Sequence, residues 1–562
     1  MRKREAQAKP GHDFLQPVKT KVSNGGPMMS TAFASHRPVV MGTNWMITSG
    51  HPLASQAGAA ILEKGGNALD AAIAANAVLG VVRPHMCGIG GDAFIILYLE
   101  RQKKLKVLNA SGRSPYGATR GFFAEKGMEK IPDKGILTAT VPGAVDGWIT
   151  ALEEHGTMDL DVLLQRAIDF AERGFPVYKE LSLVIQNETP LLKSCPASAR
   201  IFLKDGRPPK PGELLVQSDL AESLKKIAEG GKDAFYRGEI GRALVKCSQE
   251  NEGLFAEKDL ADHRSTWVEP IEAAYRGYRI CVVPPNSQGV GLLMQANILE
   301  NFDLAKLGHN STEYVHLFVE AKKLVFADRD VYVCDPDFYS IPVEKMVSKA
   351  YAQEQMSRID QNRAASDVSP THFRSAGEDT VYLAVVDREG NAVSMINSLY
   401  EAFGSGMMVE GTGIMLHNRG KDFSLDPAHV NCIEPHKRPY HTLSPCMIFK
   451  GGRPCMVLGT PGADGQTQTL LQVIANTIDF EADVQEAIES PRWRSNPGNR
   501  LLIEGRFPNE VIEGLKAKGH EIELLPAWSS ICGGAQGIIV DGETGVLMAG
   551  ADPRRQAYAI GS

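Results

Sequence analysis

The chain has 562 residues and a net charge of −7, with 23% charged and 43% hydrophobic residues. Those are ordinary values for a globular protein large enough to bury one extended core or two that share an interface. No Lys/Arg stripe with interleaved aromatics marks a nucleic-acid surface. The nine cysteines are odd in number, scattered and free of C-x-x-C pairs, which speaks against a disulfide framework or a zinc ribbon and for a reducing, cytoplasmic setting.

In chain order, residues 1–35 are polar, lack the apolar core of a secretory signal, and read as a flexible tail. Residues 53–63 carry a helical pattern stopped at Gly65-Gly66, and Asn67 is placed to cap a second helix over 68–82. That run is also the longest apolar stretch; it is too short to span a bilayer, so no membrane partner is expected. "GIGGDAF" (88–94) is glycine-rich but follows a helix and precedes a strand, the reverse of a dinucleotide-binding turn, so close backbone packing is its reading. A hairpin is predicted over 93–110. Ser218 or Asp219 is expected to cap a helix over 220–228, and Thr312 leads into another over 314–327. "ADRDVYVCDPDF" (327–338) gathers four aspartates without the glycine and closing glutamate of a calcium loop, so helix-end and turn bonding is expected. Three further hairpins, over 381–397, 445–459 and 537–550, flank a helix over 466–478. No metal-ligand spacing stands out and no metal or organic cofactor is expected. Strand–helix alternation with glycine fingerprints is missing, so the fold class is α+β: antiparallel sheets with apolar faces together and helices outside.

The hairpin in "GEDTVYLAVVDREGNAVS" (377–394) poses the chemical question. Its first run is apolar at nearly every position, as a strand buried on both faces would be. Thr380 stands at its lip, behind the polar stretch 374–379. A strand-starting threonine is commonly structural. If the Asp379–Thr380 bond were cut, however, Thr380 would carry a free α-amine that titrates near ~7.7–8.0 in reference peptides. Such an amine can take the proton of its own Oγ and make threonine a nucleophile without a histidine.

The segments "DTVYLAVVDREGNAVS", "NSLYEAFGSG", "GTGIMLHNRGKDFS", "KRPYHTLSP" and "GTPGADGQTQ", with "PPNSQGVG" and "ADRDVYVCDPDFYSIP" upstream, resemble the γ-glutamyltranspeptidases (glutathione hydrolases) of the N-terminal-nucleophile superfamily. The likeness runs from about Met46 to the end. It implies an αββα sandwich of two stacked antiparallel sheets, made as a precursor that cleaves itself between Asp379 and Thr380. The parts would be a tail over 1–35, a large subunit over 36–379 and a small catalytic subunit over 380–562. The resemblance assigns Thr380 as nucleophile, Ser398 as its hydroxyl partner, and the backbone amides of Gly462 and Ala463 as the oxyanion hole. Alanine stands where the family has a second glycine.

The residues that would read a γ-glutamyl group depart from the family. Asp422 matches the carboxylate for the donor's α-ammonium, while His441-Thr442 replace tandem serines, Tyr400 an asparagine and Arg419 a glutamine. The family's large-chain arginine falls at Ser111, with Arg113 two positions away; Arg113, Arg419 and His441 could build a different anion clamp. The function implied is a self-processing threonine amidohydrolase or acyltransferase on γ-glutamyl amides such as glutathione. An oxamate- or glutaryl-type amidohydrolase is the alternative on the same scaffold, and an unprocessed ligand-binding relative the alternative of another class. The partners implied are a small amide substrate with a short acidic acyl group, the two subunits of one precursor, and a higher homo-oligomer.

Overall fold

The structure is a computed structural model that describes residues 35–366, 368 and 379–562. Residues 1–34 of the expected tail and the polar stretch 374–378 lie outside the described residues. Two seven-stranded sheets organise the chain. The first runs Tyr558–Gly561, Met46–Ser49, Asp379–Val386, Ala392–Tyr400, Asp92–Leu99, Lys104–Ala110, Thr266–Val268. The second runs Val40–Gly42, Leu547–Ala551, Gln536–Val540, Arg453–Gly459, Cys446–Lys450, Tyr278–Val282, Ile271–Tyr275. Neighbours within each are antiparallel.

The layering follows from the two-residue repeat of a strand. Along the opening strand of the central hairpin, Val381, Leu383 and Val385 point to one apolar cluster and Tyr382, Ala384 and Val386 to another. The first cluster joins the first sheet to helices Pro52–Glu63 and Ala68–Val82. The second lies between the sheets, where Phe94, Ile96 and Ile396 meet Cys281, Met447, Val457 and Ile538. A third cluster sets the outer face of the second sheet (Ile280, Val282, Ile448, Met456) against helices Gly289–Leu299, Thr312–Tyr332 and Gln466–Ile478. The order helix, sheet, sheet, helix is the αββα sandwich the sequence reading anticipates. A run apolar on both faces is what a strand between two such cores needs, and each buried leucine or valine there contributes about 1.5–3 kcal/mol.

All four predicted hairpins form. The cap at Asn67 forms too: its side chain accepts from Leu69 N and Asp70 N at 2.9 and 3.0 Å, while Asp70 accepts in return from Asn67 N at 2.8 Å. The expected cap at Ser218 or Asp219 does not. That helix runs Ser218–Tyr236, its N-cap is Gln217, and Gly231 at φ 56° breaks it internally. Gln217 instead donates to Val81 O at 2.8 Å, so tertiary docking fixes this helix start in place of a local side-chain cap. Helix Thr312–Tyr332 is capped by Ser311 and continues past Ala327.

Candidate active site

Thr380 sits where the hairpin loses its register. Asp379 pairs with Tyr400 and Val381 with Asn397, so Ser398 and Leu399 together oppose one residue, Thr380. Two residues against one is a β-bulge, which re-aims the side chains at its mouth. Here it brings the Thr380 and Ser398 hydroxyls to 3.0 Å, both side chains buried. Ser398 Oγ also accepts from Tyr400 N at 2.7 Å. Behind it the glycine-rich run 88–91 makes close contact. A Cβ on Gly91 would lie 2.4 Å from Ser398 O, and one on Gly90 2.1 Å from Met415 O. Those glycines are packing residues: Gly91 packs the back of the bulge and Gly90 the short strand Ile414–Met415.

The second sheet delivers the facing turn. Strand Arg453–Gly459 ends at Gly459, whose Cα lies against the Tyr382 ring so closely that a Cβ would come within 2.0 Å of it. Thr460 Oγ1 then donates to Pro461 O at 2.8 Å and accepts from Gly534 N at 3.1 Å. Gly462 follows at φ 133° and Ala463 at φ 44°. Among the described residues no carbonyl receives the amide N–H of Gly462 or Ala463. Gln288 holds this turn: its Nε2 donates to Ala463 O at 2.9 Å and to Thr442 O at 2.6 Å, while Oε1 accepts from Arg329 at 3.2 Å and Tyr440 OH at 3.1 Å. Arg329 also pairs with Asp464 at 2.9 Å. Sequence reasoning assigned no role to Gln288 or Arg329. Their signal was positional only, since each lies in a segment that carries the family likeness.

Of the predicted substrate residues, four converge. Tyr400, at φ 82°, donates its hydroxyl to Asp422 Oδ1 at 2.8 Å. The Arg419 guanidinium lies 3.8 Å over the Tyr400 ring, donates from Nη1 to Thr442 Oγ1 at 3.0 Å, and stands 3.8 Å from Asp422 Oδ2. Arg419 is 1% exposed, and its Nη2 finds no acceptor among the described residues.

Arg113 and His441 do not join them. Arg113 is held by Asp335 and Asp337 at 2.9 and 2.6 Å and by His436 O at 3.0 Å. His441 accepts from Leu443 N at Nδ1 (3.3 Å), so its Nε2–H donates to Asp92 Oδ2 at 3.1 Å. Burial, with Arg419 nearby, lowers its pKa to about 3, and the neutral ring carries no charge for a clamp. Although burial works to raise it, the imidazoles of His417 and His441 hold Asp92 below the usual carboxylate range.

Among the described residues one group, His316, Glu320 and His520, has ligand atoms within 4.8 Å of one another. The two rings are bonded to each other at 2.8 Å and Glu320 is paired with Lys323 at 2.7 Å, so its donors already serve each other. No described helix is long and apolar enough to cross a membrane, and all nine cysteines are free thiols.

The family model described as gamma-glutamyltranspeptidase matches residues 54–562. The glutathione hydrolase-like YwrD proenzyme of Bacillus subtilis (strain 168) is 44% identical over 93% of this chain and 99% of its own length. The acylase ACY 1 proenzyme of Pseudomonas sp. (strain SE83) is 39% identical over 88% of this chain and 90% of its own. Among solved structures, a cephalosporin acylase from Bacillus halodurans superposes with a TM-score of 0.89 at 37% identity, covering 96% of this chain and 99% of that one.

Proposed function

The chain belongs to the gamma-glutamyltranspeptidase family, and from that premise we propose that it is a self-processing threonine amidohydrolase. It acts on γ-glutamyl amides, glutathione among them, through an acyl-enzyme on Thr380. The observation that carries the reading is the buried Thr380 hydroxyl at the bulge, 3.0 Å from Ser398.

In the precursor, Thr380 Oγ attacks the Asp379 carbonyl carbon, and the C–N bond gives way to a C–O ester. Water then hydrolyses that ester and leaves a carboxylate on residue 379 and an α-amine on Thr380. In the mature protein that amine takes the Oγ proton as Oγ attacks the substrate amide, and it returns a proton to the departing amine. Gly462 and Ala463 N–H groups meet the oxyanion in both rounds. Water, or an amine acceptor, finally takes the acyl group. The subunits proposed are 36–379 and 380–562. Strands Met46–Ser49 and Asp92–Leu99 from before the cut flank the hairpin that follows it. The two chains therefore share one sheet and stay together after cleavage.

A second reading of the acyl group has its own observation. Asp422 already accepts from Tyr400 and stands beside Arg419, so its pull on an α-ammonium is weakened, while Arg419 Nη2 lacks an acceptor among the described residues. A buried guanidinium in that state favours an acyl end that is purely anionic, as in a glutaryl or oxamate-type amide.

Two measurements test this. Wild-type protein resolves on a denaturing gel into two bands whose smaller member begins at Thr380, and Thr380→Ala stays a single 61.0 kDa band. Its turnover falls by a factor of roughly 10⁴ or more, the scale of losing a nucleophile. An intact, fully active wild-type chain would sink the reading. Glutathione, γ-glutamyl-p-nitroanilide, glutaryl-p-nitroanilide and oxamate, assayed side by side, decide between the acyl groups.

A further inference from the structure

Three successive residues, Asn286 to Gln288, lace onto the segment 439–443 that carries Thr442. Asn286 Nδ2 donates to Pro439 O at 2.7 Å, and His441 N donates to Asn286 O at 2.9 Å. Ser287 bridges His441 in parallel register, and its Oγ donates to Leu443 O. Gln288 N donates to His441 O at 2.9 Å, after which helix Gly289–Leu299 leads away. The Gln288 side chain, 0% exposed, reaches past this lacing to the facing turn.

Chemistry settles which way its amide points. Arg329 Nη1, which can only donate, stands 3.2 Å from one end. Two carbonyls, which can only accept, stand at the other: Thr442 O at 2.6 Å and Ala463 O at 2.9 Å. Both hydrogens of one planar –NH2 group therefore go to carbonyls, and the fixed angle between them holds the two oxygens at one separation.

Those carbonyls belong to different parts of the site. Thr442 Oγ1 accepts from Arg419 Nη1 at 3.0 Å, and Arg419 Nη2 has no acceptor among the described residues. Ala463 carries one of the two proposed oxyanion amides, and its φ of 44° is a conformation that a residue with a Cβ keeps only when held. Arg329 strengthens the hold, since it pairs with Gln288 and also, at 2.9 Å, with Asp464, the next residue of the turn. The anion-reading group and the turn thus stand at one spacing, and neither can drift without breaking a bond inside the core.

We propose that Gln288 is the spacer that sets acyl chain length. It fixes the reach from Arg419 to the Gly462–Ala463 turn, so the enzyme turns over acyl groups of one length, anchored by a terminal carboxylate with the carbonyl falling at the turn. Gln288 acts through Thr442 and Ala463 and is a positioning residue. One methylene more or less displaces the carbonyl by roughly 1 Å or more, and a misplacement of that size can cost a factor of about 10² in rate. Length is read in kcat, because a misplaced chain still binds through its carboxylate. The inference rests on the proposed function, with Thr380 as nucleophile and Arg419 as reader of the acyl end.

The experiment uses processed wild type and processed Gln288→Glu, which keeps the size of the side chain and an oxygen for Arg329 but offers the two carbonyls no N–H. The donors are succinyl-, glutaryl- and adipyl-p-nitroanilide and their α-amino counterparts. Wild type should favour one length, with kcat at least about 10-fold above its neighbours in the series. In Gln288→Glu that ratio should fall to about 3 or less, while KM for the favoured donor moves by less than about 3-fold, because Arg419 and Thr442 remain. Gln288→Met, of similar volume and without either donor, should flatten the profile likewise. A flat kcat profile in wild type overturns the spacer, as does a profile equally sharp in both variants with every rate lowered. Loss of self-cleavage in both variants overturns it too, because that step works on the chain's own bond and measures no acyl length, which would make Gln288 a support of the turn alone. Failure of wild type to hydrolyse any of the donors counts against the proposed function, whereas hydrolysis without a preferred length counts against the spacer.

Discussion

Two hairpins meet across the sandwich, and they differ in where each departs from regular pairing. The hairpin Asp379–Val386/Ala392–Tyr400 slips at its mouth, between Asp379 and Val381. The hairpin Cys446–Lys450/Arg453–Gly459 slips at its closed end, between Ile448 and Phe449, and stays regular through Leu458. Both are buried and both are built from strand-forming apolar residues, yet they supply opposite things. An irregularity at the mouth turns two hydroxyls toward each other. Regular pairing up to the mouth presents a backbone turn, Thr460 to Ala463, whose amides at Gly462 and Ala463 are the proposed oxyanion donors. The proposed nucleophile and the proposed oxyanion donors thus come from one architecture by the placement of a single extra residue.

The largest expected effect comes from prising the hairpins apart. A Cβ at Gly459 would lie 2.0, 2.1 and 2.5 Å from three atoms of the Tyr382 ring, whose hydroxyl is tied to Ser394 at 2.8 Å. Gly459→Ala should cost about 3 kcal/mol or more through overpacking and leave the chain unprocessed or insoluble. Processing at the wild-type rate would show that the hairpins are not the joint that sets the site. Ser398→Ala should fold, because the bulge is a matter of backbone count, but slow both self-cleavage and turnover by roughly 10–100-fold through the lost hydroxyl contact. Ser398→Thr should restore most of it. Equal rates in all three would remove the bulge from the chemistry.

A third test bears on the polar tie between the two mouths, His441 to Asp92. Its folded pKa of about 3 lies below the ~6.5 of an unfolded histidine, so the unfolded chain binds the proton first. Burial and the nearby Arg419 lower that pKa while the bond to Asp92 works to raise it, so what is whole above pH 6.5 and lost as pH falls toward 3, ~2 kcal/mol by pH 5, is the stability of burying His441 as a neutral ring. Urea unfolding of the uncleaved Thr380→Ala chain at pH 7, 6 and 5 should show that slope, and His441→Gln should lessen it by about one proton's worth. A parallel loss in both chains would mean the buried His441 ring carries none of it.

The sequence reading went furthest where a local pattern had a local cause. A run apolar at successive positions predicts a strand between two cores, and Val381 to Val386 is one. Asn67 and Asp70 cap a helix because both groups lie within one turn. The bulge was not legible, since it depends on how many residues the partner strand spends opposite Thr380. Nor were the ties of Arg113 and His441. Their acids, Asp335 and Asp92, lie 222 and 349 residues away, and nothing near either residue distinguishes a ligand-binding side chain from one already paired. The convergence of Tyr400, Arg419, Asp422 and Thr442 came from the resemblance, which stands in for the distances a single chain does not reveal.

The smallest expected effect refines the comparison at the turn itself. Ala463 takes φ 44°, a left-handed conformation that costs a residue with a Cβ roughly 1 kcal/mol more than glycine. Gly462, its neighbour, has room for a Cβ, the nearest atom being Gly533 Cα at 3.7 Å, but its φ of 133° is one that residues with a side chain rarely adopt. Ala463→Gly should therefore raise stability by about 0.5–1 kcal/mol, less the chain entropy glycine adds to the unfolded state. Because the working group is the amide N–H, present in both, turnover should change by less than about 3-fold. A loss of 10-fold or more would mean the buried Ala463 methyl shapes the acyl pocket. The second sheet would then contribute a side chain as well as a backbone, and the division of labour between the hairpins would be less clean than their pairing suggests.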